Sequence, residues 1–251
     1  DSRFQQALLG NGGENGDLTW NIFDHTQNSP ELIDFVRGAE ISTKDGGLTT
    51  LETVARSSFN DFNYAFGIQL NNETLDIEYN DLARAEFDSD GKITKTADLF
   101  FLGGGQNVDE SRNKYGAFFE GEQEFFGSLG LRLAARYEKV DNFSSLDPKL
   151  SLRFNPIEEI TFRISRGTSF TMPSMAQMFS SDINLGSVRD LDDNIFVRQA
   201  RIGNPDLKPA TSTNSNFGFV YDSDVNRFSL DYWEIDYRNR IEAESSQALL
   251  D

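Results

Sequence analysis

The sequence predicts an all-β fold, an antiparallel β-barrel that spans a membrane, and three observations lead to this prediction. Apolar and polar residues alternate with period two in several segments, as they do in strands with one apolar face. Short and long polar connections succeed one another along the chain, as turns and loops do in transmembrane barrels. Aromatic residues make up 12% of the chain although its hydrophobic fraction is only 37%, and such barrels place aromatic residues on the lipid face. A polar antiparallel sandwich with an aromatic core would explain the same composition.

The first three of eight predicted strands lie in the first half of the chain. Residues 48–57 form the first strand and are weakly patterned. In the second strand, apolar residues alternate over 64–70 and continue at Leu75 and Ile77 in the other phase, which predicts a phase slip of the strand between the two parts. The third strand covers residues 115–124, where aromatic and small residues oppose glutamates.

Five further strands follow in the second half of the chain. They are predicted at residues 129–138, 150–154, 160–165, 214–221 and 227–237. In the last strand the apolar phase changes between Tyr232 and Trp233, which predicts a β-bulge. No run of about 18 apolar residues is present that could cross a membrane as a helix.

The predicted connections alternate in length. Short links fall at about 59–63, 126–128, 155–158 and 222–226, and between them lie long polar links at 80–112 and 168–210 and a shorter one at 141–146. Transmembrane barrels require this order, because their periplasmic turns are short and their extracellular loops long. A soluble sandwich has no reason to place a long loop at every second connection.

One helix is predicted near the start of the chain. Ser29 suits the N-cap, Pro30 suits the first helical position, and Glu31 lies in the first turn. Apolar residues continue to Val36, and Gly38 can end the helix. Such a helix would lie within an extracellular loop of a barrel, or would cover a sheet end in a soluble protein.

The charge and the cysteine content exclude several kinds of partner and site. A formal net charge of -18 argues against binding of nucleic acid and against docking on anionic lipid surfaces. The chain contains no cysteine, so that disulfides and thiolate metal sites are excluded. Acidic loops suit solubility or the capture of cations and neutral solutes.

No catalytic or cofactor site is predicted, and we do not expect an enzyme. His25 is the only histidine, and it lies in a polar loop without any Gly-x-Ser-x-Gly motif elsewhere. One histidine without cysteine cannot form a zinc site of the usual type. Residues 88–91 imitate the start of a calcium loop but lack the glycine and the final acid that such a loop needs.

Charged residues follow the polar faces of the predicted strands. Four arginines, Arg132, Arg136, Arg153 and Arg163, share this face with the glutamates of residues 120–124. In a plugged barrel these charges would pair across strands in a wet lumen. In a sandwich they would form an ordinary solvated surface.

Two sequence elements at the ends of predicted strands carry a resemblance to a known family. The run Asn204, Pro205, Asp206, Leu207, Lys208 and Pro209 precedes the seventh strand, and residues 167–174 (GTSFTMPS) end the sixth. Placed in this way, they resemble the C-terminal barrel half of TonB-dependent outer-membrane receptors. Residues 147–241 carry the resemblance best, and Thr171 departs from the arginine that the family usually has at that position.

The resemblance implies a part of a plugged barrel of about 22 strands. Residues 1–251 are then expected to be a partial receptor barrel domain with long extracellular loops, without the plug domain and the C-terminal closing strand. It implies active uptake of a scarce nutrient (a siderophore, cobalamin, haem, saccharide or similar molecule) across the outer membrane of a Gram-negative bacterium. The expected partners are outer-membrane lipid, the nutrient, and the TonB complex acting through the plug. The alternatives are a passive porin-like barrel and a secreted β-rich adhesin or carbohydrate-binding domain.

Two sets of residues are candidates for a role in the receptor. Phe179, Phe196 and Arg198 combine aromatic and cationic side chains in the long polar link, which suits a substrate vestibule. The second set is the proline-containing run of residues 204–209, for which we expect a structural role. Its prolines restrict the preceding residues to extended conformations, Asn204 can form a turn, Leu207 can serve as an apolar anchor, and Lys208 is expected at the polar rim.

Overall fold

The computed structural model describes residues 2–99, 103–191 and 193–249. In chain order the elements are α1 (Ser2–Leu8), a 3₁₀ helix (His25–Gln27), α2 (Pro30–Val36), β1 (Ser42–Phe59), β2 (Phe62–Tyr79), β3 (Glu86–Phe87), β4 (Ile93–Lys95), β5 (Gly104–Gly105), β6 (Val108–Phe125), β7 (Leu129–Val140), β8 (Phe143–Ile157), β9 (Ile160–Thr171), α3 (Met175–Phe179), β10 (Asp182–Asp190), β11 (Asp193–Arg201), β12 (Ala210–Asp222) and β13 (Arg227–Arg238). None of the helices in the described residues is long and apolar enough to cross a membrane.

Eight long strands form one antiparallel sheet, in the order β1-β2-β6-β7-β8-β9-β12-β13. Each strand pairs with the next long strand along the chain, and this confirms the predicted all-β antiparallel fold and its eight strands. Most of the strands are longer than predicted. β6, for example, begins at Val108, because polar residues continue the ladder beyond the alternating segment.

The two ends of the sheet differ. Its turn end carries four short connections, for example the turn at Asn60 and Asp61, whose φ values of 46° and 64° suit a tight hairpin. Its loop end carries residues 2–41 and the connections β2–β6, β7–β8 and β9–β12. The predicted link at 141–146 is shorter than expected, since only Asp141 and Asn142 separate β7 from β8.

The two long connections contain secondary structure of their own. The β9–β12 connection holds α3 and the β10–β11 hairpin, and β10 also pairs with β5 of the β2–β6 connection, so that the two connections share a three-stranded sheet. Polar loops were predicted for both connections, and the three-stranded sheet was not predicted.

The predicted helix near the start of the chain is present as α2. The side chain of Ser29 accepts a hydrogen bond from the backbone nitrogen of Leu32 at 3.2 Å, as expected of an N-cap. The helix ends at Val36, two residues before Gly38. It packs beside α1 at the loop end of the sheet.

One face of the eight-stranded sheet is apolar and exposed along the middle of the strands. This apolar face carries Leu133, Phe162 and Phe219, and the rings of Phe162 and Phe219 lie 5.4 Å apart across neighbouring strands. The opposite, polar face carries Arg132, Arg163 and their partners. An apolar surface of this extent is rare on soluble monomers and marks contact with a membrane or another protein.

The predicted phase slip in the second strand and the predicted β-bulge in the eighth strand are both wrong. The β1–β2 register runs without a break from Ser42 opposite Tyr79 to Phe59 opposite Phe62. The β12–β13 register is likewise unbroken. In β2 the apolar residues change from one face of a regular strand to the other, because buried residues of the long connections cover that face at the loop end. In β13 they also change face, and Trp233, Ile235 and Tyr237 lie exposed there.

A small core covers the polar face at the loop end of β2 and β6. Ile77, Tyr79 and Val108 are buried there against Ala83 and Leu99 of the β2–β6 connection. Partly buried residues, including Leu75, Leu82 and Phe179, pack against this cluster. The loop-end core therefore fixes the long connections on the sheet and explains why Leu75 and Ile77 face away from the apolar face.

Candidate functional site

The β10–β11 hairpin is the most prominent part of the segment that was predicted to form a vestibule. Its strands pair from Asp182 opposite Arg201 to Asp190 opposite Asp193. The base is held because buried Ile183 pairs with Gly104 of β5. Near the tip, the side chain of Gln247 makes two hydrogen bonds to the backbone of Arg189. Its Nε2 donates to the carbonyl oxygen of Arg189 at 2.9 Å, and its Oε1 accepts from the backbone nitrogen of Arg189 at 2.7 Å.

The three predicted vestibule residues do not form one cluster. Phe196 and Arg198 lie two positions apart on one face of β11, where the side chain of Phe196 is 74% exposed and Leu185 lies opposite Arg198. Phe179 lies in α3 and packs against the loop-end core. The hairpin therefore presents an aromatic ring and a guanidinium group together, whereas Phe179 serves packing.

A buried arginine that the sequence reasoning missed holds the start of the β9–β12 connection. Arg112, in β6, is only 5% exposed. Its guanidinium donates to one oxygen of Glu73 from Nε at 3.0 Å and from Nη2 at 2.6 Å, and to the carbonyl oxygen of Pro173 at 2.9 Å. Lys114 forms a second ion pair with Glu73. This cluster ties the segment in front of α3 to the wall of the sheet.

Helix α3 continues from this attachment. Ser174 and Gln177 form a capping box, in which the backbone nitrogen of each is bonded to the side chain of the other. Met175 and Met178 are buried beneath the helix, and the sulfur of Met178 lies 3.6 Å from Nη1 of Arg112. The base of the long connection is thus attached to the sheet by buried side chains and hydrogen bonds.

The proline-containing run joins β11 to β12 and is bonded to α3. The backbone nitrogen of Asn204 donates to the carbonyl oxygen of Gln177 at 3.0 Å, and its side-chain oxygen accepts from the nitrogen of Asp206 at 2.9 Å. This is the turn that was expected at Asn204. Leu207 and Pro209 are partly buried and Lys208 is exposed, directly before Ala210 pairs with Thr171. The two sequence elements that carry the family resemblance therefore meet at one point of the sheet.

Replacing Pro205 and Pro209 together by alanine is expected to lower the yield of assembled barrel. Each proline narrows the conformations of the unfolded chain, and its loss is expected to cost about 0.4–1 kcal/mol where the native backbone suits proline. Heat-modifiability on gels measures the assembled fraction, and ligand titration measures the affinity of the protein that does assemble. Normal assembly combined with a reduced affinity would move the run into the binding site and reverse the structural assignment.

Ion pairs on the polar face bridge over glycines of the intervening strand. Arg163 of β9 and Asp231 of β13 both lie opposite Gly218 of β12, and their side chains meet above it at 2.8 Å. A Cβ atom at Gly218 would lie 2.5 Å from the Asp231 carboxylate. Glycine at this position is therefore what permits contact between side chains two strands apart.

The same arrangement recurs on the polar face of β6–β8. Glu124 and Arg153 pair across Gly130 of β7, which lies opposite both residues. Arg132 pairs with Glu120 on the adjacent strand at 3.1 Å. The expectation that charges pair across strands is confirmed for Arg132, Arg153 and Arg163. Arg136 instead pairs with Glu138 of its own strand at 3.0 Å.

An open polar cleft of about 540 Å³ lies on this face near the turn end, lined by Glu122, Arg132, Arg153, Arg163, Ser165 and Asp231 among others. Its walls can offer hydrogen bonds and charges of both signs to another surface. Among the described residues, no group of three or more histidine, cysteine, aspartate or glutamate side chains is placed to hold a metal ion.

Comparison with known proteins gives a family and a fold. A family model described as TonB dependent receptor-like, beta-barrel, matches residues 2–250. A variant of the ferric enterobactin receptor of Pseudomonas aeruginosa superimposes with a TM-score of 0.56 at 19% identity, over 80% of this chain and 28% of the receptor. The siderophore receptor PirA of Acinetobacter baumannii gives a TM-score of 0.58 at 17% identity, over 91% of this chain and 30% of that one.

A third structure, the siderophore receptor PirA of Pseudomonas aeruginosa, gives a TM-score of 0.55 at 14% identity, over 78% of this chain and 33% of that receptor. No curated protein matches this chain. The chain spans about a third or less of the length of these three solved receptors.

Proposed function

This chain belongs to the TonB-dependent receptor β-barrel family, and we propose that it forms part of the wall and loops of an outer-membrane receptor that takes up a scarce nutrient. The observation that carries the proposal is the two-faced sheet of eight strands, with one exposed apolar face and one charged face. Lipid on the apolar face and an aqueous lumen on the charged face account for both surfaces. We assign no catalytic role to any residue.

The location and the partners follow from this assignment. We propose that the receptor resides in the outer membrane of a Gram-negative bacterium and that the TonB complex supplies the energy for uptake. Since the chain spans 28% of the ferric enterobactin receptor, we propose that the plug, through which TonB acts, and the closing strand lie in other parts of the protein. The open polar cleft is a surface against which a plug can pack.

The β10–β11 hairpin is proposed as part of the substrate vestibule. It projects from the loop end, which we place on the extracellular side because the long connections lie there. Its exposed Phe196 and Arg198 can stack on and pair with a solute that carries rings and negative charge. Phe179 contributes indirectly, since it packs beneath the connection that carries the hairpin.

Shortening the hairpin tests the vestibule. Residues 187–196 would be replaced by Asn-Gly, so that Gly186 and Val197 remain paired and the base at Ile183 is untouched. We expect the nutrient affinity to fall about tenfold or more, the loss of about 1.4 kcal/mol or more, while heat-modifiability shows normal assembly. Siderophores, cobalamins, haem and saccharides are the nutrients to compare.

Point variants refine this test. Arg198→Gln and Phe196→Ser are expected to weaken nutrient binding, and Leu191→Ser at the tip, where the side chain is 92% exposed, serves as the matched control. The shortened protein keeps Arg198. Unchanged nutrient affinity in the shortened protein and in both point variants would therefore remove the hairpin from the vestibule and leave the family assignment intact.

A further inference from the structure

A second cavity lies at the loop end, and no residue of the β10–β11 hairpin lines it. It has a volume of about 570 Å³ and opens between the segment before β1 and the β2–β6 connection. Its apolar lining consists of Phe4, Leu8, Trp20, Val36, Leu82 and Leu99. The volume lies within the range of small-molecule sites, which are mostly apolar with a few polar groups.

Side chains that line this cavity contact one another or belong to the loop-end core. Phe4 and Trp20 meet edge to face, with ring centroids 5.5 Å apart. Leu99 belongs to the loop-end core and forms the opposite wall. Gly38 allows the backbone to approach this leucine, since a Cβ atom there would lie 2.9 Å from it. Aromatic and aliphatic side chains line the cavity together, and this lining suits a flat apolar group.

The rim of the cavity is positively charged although the protein is acidic. Arg37 is exposed, and its ion pair with Asp34 is long, at 3.7 Å. The guanidinium of Arg3 lies 5.9 Å above the ring of Phe35. The one carboxylate in the lining, that of Asp98, already accepts hydrogen bonds from the backbone and hydroxyl of Ser2. Two guanidinium groups thus lie in the lining of an apolar cavity.

We propose that this cavity binds a small amphiphilic molecule whose aromatic or apolar body enters between Trp20 and Leu99 and whose anionic group stays at the rim with Arg3 and Arg37. Arginine is well suited to this, because its planar fork binds carboxylate and sulfonate oxygens in pairs and is weakly hydrated. The site shares no residue with the proposed vestibule. It therefore adds a second binding function at the outer surface of the receptor.

Tryptophan fluorescence of the receptor in lipid nanodiscs tests the proposal with naphthalene-2-sulfonate as the probe. Trp233 is exposed and is replaced by phenylalanine in every protein compared. We then expect saturable quenching that is absent after Trp20→Phe, because this substitution keeps an aromatic wall but removes the reporter. Naphthalene-2-methanol has the same ring system without the charge, and it should bind about tenfold more weakly, the loss of roughly one charge-assisted pair.

Two kinds of variant separate the apolar and the charged parts of the site. Val36→Phe fills the cavity and should weaken binding of both probes about tenfold or more, and Leu8→Phe repeats the test should the first variant fold poorly. The Arg3→Gln/Arg37→Gln variant should abolish the preference for the sulfonate and leave binding of the neutral probe unchanged. Arg56→Gln, at an exposed position of β1 near the turn end, is the matched arginine control.

Absence of saturable quenching by the sulfonate overturns the proposal. Equal affinity for the sulfonate in the wild type, in Val36→Phe and in Leu8→Phe also overturns it. An unchanged preference for the sulfonate in the double arginine variant overturns the assignment of the rim. The shortened hairpin tests nutrient uptake, and the quenching experiment tests only the cavity. A negative result for the cavity therefore leaves the proposed function in place, and a negative result for uptake leaves the cavity in place.

Discussion

Replacing Leu133 by arginine is expected to lower the free energy of unfolding in a bilayer by about 2–4 kcal/mol, the cost of a cation near the midplane on the lipid face of a barrel. Leu133 lies in the middle of β7 with 46% of its side chain exposed on the apolar face. Phe162→Arg, on the same face of β9, is expected to cost a similar amount. Urea titration of protein folded into vesicles measures both values.

The neighbouring residue of β7 provides the control. Arg132 lies on the polar face and pairs with Glu120, with about half of each side chain exposed. Arg132→Ala is therefore expected to cost about 1 kcal/mol or less. Similar losses in the free energy of unfolding for Leu133→Arg and Arg132→Ala would contradict the assignment of the apolar face to lipid and of the polar face to water.

Replacing Arg112 by methionine is expected to detach the β9–β12 connection from the sheet. The substitution removes the bonds to Glu73 and Pro173 from an almost fully buried position. Breaking a buried pair by removing one partner costs about 3–5 kcal/mol, and we expect the lower end because Lys114 still pairs with Glu73. Limited proteolysis from the outside should then cleave residues 172–209 while the barrel remains assembled.

Arg132→Met is the matched control for Arg112→Met, since it removes an arginine from the same face at an exposed ion pair. Cleavage should stay slow in this variant, and nutrient binding should stay normal. Equal rates of cleavage in the two variants would mean that Arg112 does not hold the long connection.

The strands were predictable from the sequence where one face is apolar. In the middle of β7 leucine, alanine and tyrosine on one face alternate with arginine, alanine and glutamate on the other, and the prediction matches the structure. The ends were underestimated where polar residues occupy both faces, as at Ser42 of β1 and Val108 of β6. The backbone ladder continues there, but its side chains carry no period-two signal.

The sequence shows correctly that the apolar residues change face within β2 and within β13. The inference that the backbone is irregular at these points was wrong. In β2 the apolar residues move to the other face because the long connections cover that face at the loop end. In β13 the same change places Trp233, Ile235 and Tyr237 on the polar face of a regular strand. The local sequence cannot distinguish a bulge from a change in what covers the strand.

The candidate site was only partly predictable, because its contacts depend on register. The exposed pair Phe196 and Arg198 could be proposed from composition alone. The bond between Arg112 and Glu73, in contrast, requires knowing that these residues lie opposite each other on β6 and β2. The role of Gly218, which leaves room for the ion pair between Arg163 and Asp231, likewise depends on the residues that lie opposite it on the two flanking strands.

Site-directed spin labelling tests most directly whether the sheet separates lipid from water. The chain contains no cysteine, so that single cysteines can be introduced at Leu131, Leu133 and Leu152 on the apolar face and at Ala134, Ser151 and Ser165 on the polar face. In membranes, the first three labels should be accessible to oxygen and shielded from a water-soluble nickel complex, and the other three should show the reverse. Equal accessibility on the two faces, without alternation along β7, would contradict the assignment of this chain as the wall of a membrane receptor.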